Sequence, residues 1–235
     1  MIRPVDAGPV TRLAVDLGDE IVEIRCSTVR NGDFHIEGSR AALLHRRQAF
    51  ATGTWTQLDE VHGTSVLTVS APGEHDFAIG DALVTRARGV VLSVWVGDCA
   101  PVVLVGADGT LAAVHAGWKG ALHGVLAAAV AAMGPAARPV TAYLGPCIHA
   151  CCYEFGAADL ERFERRFGTE VCATTSWGSP ALDMRAVVRC ALHELDVELR
   201  DLSLCTGCRD DLYFSHRRRA QTGRQVMTVC KRSIR

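Results

Sequence analysis

The chain has no excess of either charge: 25 Lys and Arg stand against 26 Asp and Glu, a formal net charge of −1. That excludes the global basic field of a nucleic-acid binder and the polybasic patch of a membrane anchor. It also lacks an apolar run of the ~20 residues needed to cross a bilayer. The longest such stretch, 90–105, is interrupted by Asp98. The opening Met1-Ile2-Arg3-Pro4-Val5-Asp6 has no basic segment followed by an apolar one, so no export signal is expected. Repeats, low-complexity segments and linkers are missing too, which predicts one domain over 1–235. These absences leave a cytoplasmic protein with a small-molecule partner, and with neither nucleic acid nor membrane as a partner.

Apolar residues make up 49% of the chain, enough for a sizeable core. Two apolar runs at 10–15 and 21–24 flank Asp-Leu-Gly-Asp at 16–19 and predict a hairpin. A short helix is expected over 39–47, capped by Ser39, and strands over 66–69, 82–85, 90–96, 101–106 and 111–114. Asp108-Gly109 is the turn between the last two. An Ala-rich helix is predicted over 118–133, stopped by Gly134-Pro135. A strand at 140–144 and helices at 153–167 and 183–195 follow, the last capped by Asp183. An extended segment at 202–205, an arginine-rich loop and a strand at 226–229 complete the chain. Strands mixed with helices argue for an α/β or α+β fold.

Ten cysteines in a reducing compartment are reduced, buried, catalytic or metal-bound, and for any one of them a small buried hydrophobe is the default. Cys205-Thr206-Gly207-Cys208 is a C-x-x-C, but no second C-x-x-C accompanies it, so a structural or incidental role is expected. Cys147, Cys151 and Cys152 are expected to support the site from a turn before a helix, by burial and not by ligation.

Three segments put ligand-type side chains beside glycine or at strand ends: Val61-His62-Gly63, Gly97-Asp98-Cys99 and Val114-His115-Ala116-Gly117-Trp118. Strands 90–96 and 111–114 are expected to be neighbours through the strand between them, bringing Cys99 near His115, with His62 arriving from elsewhere. Two histidines and one cysteine form a catalytic zinc set, leaving the fourth tetrahedral position open. Zinc there would lower the pKa of a water to about 7 and polarise a leaving group. Asp98, beside the cysteine, would orient a histidine or act as a base. On spacing alone, scattered His and Cys residues are more often surface or core residues than ligands.

A resemblance now becomes specific. His62-Gly63, Asp81-Ala82-Leu83-Val84-Thr85, Asp98-Cys99-Ala100-Pro101-Val102 and His115-Ala116-Gly117-Trp118-Lys119-Gly120 occur in one family's order. So do Gly145-Pro146-Cys147-Ile148, Cys151-Cys152-Tyr153-Glu154, Leu182-Asp183, Cys205-Thr206, Phe214-Ser215-His216-Arg217-Arg218 and Thr222-Gly223-Arg224. Over 57–225 the chain resembles the laccase-domain family, also described as multicopper polyphenol oxidase-like or peptidoglycan editing factor proteins. The resemblance implies a four-layer α/β/β/α sandwich related to the catalytic domain of cytotoxic necrotizing factor toxins. It implies Zn2+, one per chain, on His62, Cys99 and His115. It also implies phosphorolysis of adenosine, inosine, guanosine and methylthioadenosine, with phosphate as co-substrate, and deamination of adenosine. On this sequence Asp98, Cys99 and His115 are the catalytic candidates, with Asp98 as the proton shuttle. Lys119, Arg217 and Arg218 are the candidates to hold phosphate, although His216–Arg219 also reads as a solvated basic loop. The chain departs from the family at Glu60, commonly Gln, at Gly97, commonly Ala, and at Lys119, commonly Arg. A monomer or weak homodimer is expected.

Other readings compete. His35-Ile36-Glu37 matches the H-x-E of zinc nucleobase deaminases, but Cys147 and Cys151 are separated by three residues where that signature has two. A copper polyphenol oxidase needs many clustered histidines, and the nine here are scattered without a His-x-His pair. A metal-free hydrolase would use Cys99 as nucleophile and His115 as base on amide bonds, for example in cell-wall precursors carrying L-serine. A non-catalytic zinc- or partner-binding protein would not need so dense a set of polar motifs.

Overall fold

The computed structural model describes residues 2–4 and 11–233. One sheet contains β1 (Ile2–Pro4), β2 (Thr11–Asp16), β3 (Glu20–Cys26), β4 (Thr54–Gln57), β7 (Val90–Val96) and β14 (Gln225–Ser233), in the order β1-β2-β3-β14-β7-β4. The other contains β5 (Val66–Val69), β6 (Ala82–Thr85), β8 (Ala100–Gly106), β9 (Leu111–Ala116), β10 (Val140–Leu144) and β13 (Glu198–Asp201), in the order β13-β10-β8-β9-β6-β5. A small ribbon pairs β11 (Cys172–Thr174) with β12 (Pro180–Leu182).

The period-two alternation of each strand decides what lies between the sheets. Val22, Ile24, Leu92, Val94, Met227 and Val229 of the first sheet meet Leu83, Val103, Val105, Leu111, Ala113 and Tyr143 of the second. The intervening residues point outward. Val91, Val226 and Cys230 pack under α1 (Arg40–Phe50), through Leu43 and Phe50. Ala82, Val102, Leu104, Ala112 and Val114 pack under α3 (Val125–Met133), α4 (Ala157–Phe167) and α5 (Met184–His193). Strands buried on both faces read as near-continuous apolar runs, as 100–106 does and as 90–96 does but for Ser93. The layers are therefore helix, sheet, sheet and helices, the α/β/β/α sandwich that the resemblance implies.

The hairpin around 17–19 forms as expected, with Asp16 opposite Ile21. The helix expected over 118–133 is two helices. Gly124, at φ +92°, closes α2 (Trp118–His123) and opens α3. The helix expected from 153 begins at Ala157, because 150–152 turn as a short 3-10 segment and Tyr153 is not helical. The strand expected at 202–205 lies at Glu198–Asp201, parallel to β10. Strands β7 and β9 are not neighbours in one sheet, as expected from the sequence, but belong to opposite sheets. The chain crosses between the sheets at Gly97–Cys99, and this crossing positions the site. Among the described residues no helix is long and apolar enough to cross a membrane.

Candidate metal centre

At one end of the sandwich, β8 begins at Ala100 beside the last residues of β9, Ala100 opposite Ala116 and Pro101 opposite His115. Cys99 therefore emerges next to His115. The alternation that turns Leu111 and Ala113 toward the inter-sheet core carries His115 to the same face, where it is 2% exposed. Just before the adjacent β6, the same alternation brings Asp81 to that face two residues before Leu83. Asp81 organises what surrounds it. Its Oδ1 accepts from the His62 backbone N–H at 2.8 Å and from His115 Nδ1 at 2.9 Å, and its Oδ2 accepts from the Gly63 N–H at 2.7 Å. One buried carboxylate thus fixes both histidines. With Nδ1–H donated to Asp81, the lone pair of His115 lies on Nε2.

His62 sits in the left-handed region at φ +60°, and its Nε2 lies 3.6 Å from Cys99 Sγ. The two imidazole rings are 4.8 Å apart and nearly perpendicular. One ligand atom each from His62, Cys99 and His115 falls within 4.8 Å of the others. Metal–ligand bonds of about 2.0–2.3 Å require ligand atoms ~3.4–3.8 Å apart at tetrahedral angles, so the set fits one soft or borderline ion. Glycines make room for it. A Cβ on Gly117 would lie 2.5 Å from His62 Cδ2, and one on Gly120 would lie 2.6 Å from the Gly63 carbonyl oxygen. Gly117 has φ −67°, which any residue adopts, so Gly117→Ala tests the contact alone. We expect the affinity of this cluster for a metal such as zinc to fall about tenfold, as for disturbed support of a ligand, with melting temperature little changed. An affinity within twofold of wild type, by chelator competition, would show that the His62 ring has room to move.

Burial and neighbouring charge oppose one another at Glu60, Asp81, Cys99 and His115. Burial raises the Cys99 thiol, but His115 and then His62 outweigh it and bring it down to about 6. Burial opposes the charge on His115, yet Glu60, Cys99 and Asp81 hold its pKa well above the usual range. Burial pushes Glu60 up to about 8, against His115 and the Trp95 N–H that it accepts at 2.9 Å. Asp81 is lowered because the donors from His115, Gly63 and His62 overcome burial.

His62, Cys99 and His115 open on a cavity of about 320 Å³, walled by Trp95, Trp118, Tyr153, His216, Arg217 and Arg224. Asp98 borders it, but its carboxylate is engaged: Oδ1 accepts from Thr206 Oγ1 and Ser215 Oγ, both at 2.7 Å, and Oδ2 from the Arg217 N–H at 2.6 Å. Those bonds pin the 206–217 segment to the Cys99 crossing. Of the three cations singled out in the sequence, only Arg217 lines this cavity. Its guanidinium stacks 4.7 Å over Tyr153 and donates to the Glu154 carbonyl. Arg218 lies over Trp177 in a neighbouring hollow, and the exposed Lys119 lies 5.4 Å from the Trp118 ring, outside the cavity lining. Glu60, Asp81, His216 and Arg224 were not among the site candidates. Asp81 had a legible cue, an acid opening the wholly apolar 82–84 stretch. Arg224 had none beyond its motif.

Two imidazoles held by one carboxylate, with a thiol beside them, form at one end of the four-layer sandwich a cluster that could hold a metal ion, next to a small-molecule-sized cavity. The chain belongs to the family described as multi-copper polyphenol oxidoreductase laccase, whose model matches residues 27–232. A purine nucleoside phosphorylase of Mycobacterium tuberculosis is 38% identical over 177 residues, covering 73% of this chain and 70% of the relative. One of Streptomyces coelicolor is 39% identical, covering 71% of each. Among solved structures, a Neisseria meningitidis protein superposes with a TM-score of 0.79 at 26% identity, covering 93% of this chain and 98% of its own. Bacillus licheniformis YfiH superposes with a TM-score of 0.81 at 22% identity, covering 97% and 98%, which speaks to the fold alone.

Proposed function

We propose that the chain is a zinc-dependent purine nucleoside enzyme that cleaves nucleosides with phosphate and deaminates adenosine. The observation that carries this reading is the convergence of His62, Cys99 and His115 on the floor of a cavity with aromatic and arginine walls. The names of the relatives supply the substrate class. When bound there, zinc supplies a Lewis acid and a water acidified to near neutrality. The thiolate favours zinc over hard cations. The family description suggests copper, but among the described residues the only cluster with histidine contains two, too few for a multicopper oxidase.

The chain's residues do the rest. Trp95, Trp118 and Tyr153 offer flat apolar walls to a purine. Arg217 and Arg224 face the same space as a ribose-bound purine and bring positive charge for phosphate and for charge on the departing base. Arg224 is anchored by Nη1 to the carbonyls of Gln221, Thr222 and Gly223, so it is pre-oriented. Glu60 is the carboxyl with room to hold and release a proton, and it takes the shuttle role expected of Asp98, whose oxygens are already committed. Asp98 becomes a positioning residue for Arg217. Lys119 and Arg218 are assigned no phosphate contact.

Zinc content and adenosine turnover with and without phosphate test the reading. About one zinc in this centre and phosphate-dependent adenine release support phosphorolysis. Inosine formed regardless of phosphate leaves deamination alone, and no turnover of any purine nucleoside removes the reading. Arg224→Ala is expected to raise KM for phosphate about 10–100-fold, the loss of one charge-assisted contact of ~1.5–3 kcal/mol. Arg218→Ala should change it less than about twofold, as for a surface change. Equal effects of the two would move the phosphate toward Trp177. The lowered Cys99 thiol beside two imidazoles also favours a second reading, nucleophilic attack on amides such as L-serine-containing cell-wall precursors. Persistent activity on such substrates in metal-free protein would select it.

A further inference from the structure

Four other cysteines meet away from His62, Cys99 and His115. Cys151 and Cys152 lie on the 3-10 turn Ala150–Cys152, and Cys205 and Cys208 on a tight turn more than fifty residues later. Their sulfurs are 3.8 Å apart for Cys151–Cys152 and Cys151–Cys205, 3.5 Å for Cys151–Cys208 and 3.4 Å for Cys152–Cys208. All four are free thiols within 4.8 Å of one another. A disulfide would bring two of them to ~2.05 Å. Four thiolates about 2.3 Å from one tetrahedral ion stand ~3.8 Å apart. An iron–sulfur cluster, with several atoms between the cysteines, would spread them further.

The surroundings are built to this spacing. A Cβ on Gly207 would lie 2.7 Å from Cys152 Cβ and 2.9 Å from its Sγ, so only glycine lets the two turns close on each other. The backbone N–H of His149 points at Cys205 Sγ at 3.4 Å, the kind of donor that supports a thiolate ligand. Cys147 and Cys205 form a parallel bridge, and the Arg219 guanidinium donates to the carbonyls of Thr206, Gly207 and Tyr213. The second pair missing from the lone C-x-x-C is thus Cys151-Cys152, adjacent residues that no C-x-x-C pattern finds.

We propose that Cys151, Cys152, Cys205 and Cys208 hold one zinc ion as a closed tetrathiolate site, structural in role because no coordination position stays open. The site joins the turn before Tyr153 to the segment leading to Arg217, the two residues that stack at the cavity wall. It is independent of the first centre.

Zinc is counted in the full chain carrying His62→Ala, Cys99→Ala and His115→Ala together, purified under reducing conditions. About one zinc per chain should remain, and it should be lost when Cys205→Ser and Cys208→Ser are added. Where those further changes prevent folding, Co2+ added to the metal-stripped triple variant should give the intense thiolate-to-cobalt absorption of four sulfur ligands. A triple variant that retains no zinc and gives no such spectrum overturns the proposal, as does an intact mass showing disulfides among these cysteines. Because the first centre is removed in this variant, its failure to bind zinc in the wild type would not affect the result.

Discussion

On the proposed reading, Cys99→Ala is expected to lower zinc affinity at the first centre, and nucleoside turnover with it, by about a hundredfold to a thousandfold. Complete four-ligand zinc sites contribute about 10–16 kcal/mol, so one ligand is worth ~2.5–4 kcal/mol, about two to three decades at ~1.4 kcal/mol each. The thiolate also brings the only formal negative charge among the three ligands, so the two imidazoles alone hold a divalent ion poorly. The fold should tolerate the change. Cys99 is only partly buried, lies in the crossing between β7 and β8, and its neighbour Asp98 keeps its three donors. We expect a melting temperature within a few degrees of wild type. Loss of activity alone would not separate ligand from nucleophile, so the wild type is stripped with a chelator in parallel. Activity lost on stripping and restored by zinc assigns Cys99 as a ligand. Stripped wild type that stays active while Cys99→Ala is dead makes the cysteine a nucleophile and sinks the metal reading.

Why the three candidate ligands stood out in the sequence and the residues around them did not follows from how each reaches the cluster. Cys99 and His115 stand at the ends of apolar strands, where periodicity breaks and a binding group leaves the core, so the pattern alone marks them. The layers were legible for the same reason: 100–106 is apolar throughout and 90–96 apolar at all but the buried Ser93, which requires cover on both faces. The sheet to which each strand belongs was not. A two-sheet crossing at Gly97–Cys99 and a hairpin look alike in sequence, and only the pairing of β7 with β14 and β8 with β10 separates them. Gly124 divides 118–133 by a backbone conformation that a mainly apolar, alanine-rich run conceals. Arg217 and Arg218 are adjacent in an arginine run, and their opposite assignments come from the short helical turn α6 (His216–Arg219), which sends one to Tyr153 and the other to Trp177. Asp98 looked free because its partners Thr206 and Ser215 lie more than a hundred residues away. The four-cysteine cluster was hidden in the same way, its two halves lying more than fifty residues apart.

Asp81→Asn removes no ligand, yet zinc binding is expected to weaken about 10–100-fold, with turnover falling in step. A carboxylate can accept from His62, Gly63 and His115 at once because both its oxygens are acceptors, whereas a carboxamide has one acceptor and one donor group. With the amide oxygen at the Oδ1 position, its NH2 confronts the Gly63 N–H and the His62 loop loses its hold. Turned over, the NH2 faces the His62 N–H and His115 Nδ1, which moves the imidazole proton to Nε2, where the metal must bind. Either orientation spoils one histidine. The pH dependence provides a second readout. In the metal-free site Glu60, Cys99 and Asp81 outweigh burial and keep His115 protonated above its ordinary range, and zinc must displace that proton. Wild-type zinc affinity should therefore climb with pH, by up to about tenfold per unit below the raised His115 pKa, and level off above it. Asp81→Asn takes away one of the anions that raise His115, so the climb should end at a lower pH while the plateau itself is weaker. Chelator competition across about pH 6 to 9 measures both, spanning the ordinary histidine range and the region above it. A variant with wild-type plateau and wild-type pH dependence would show that His62 and His115 are held by the strands and loop alone, and Asp81 would then have no part in building the centre.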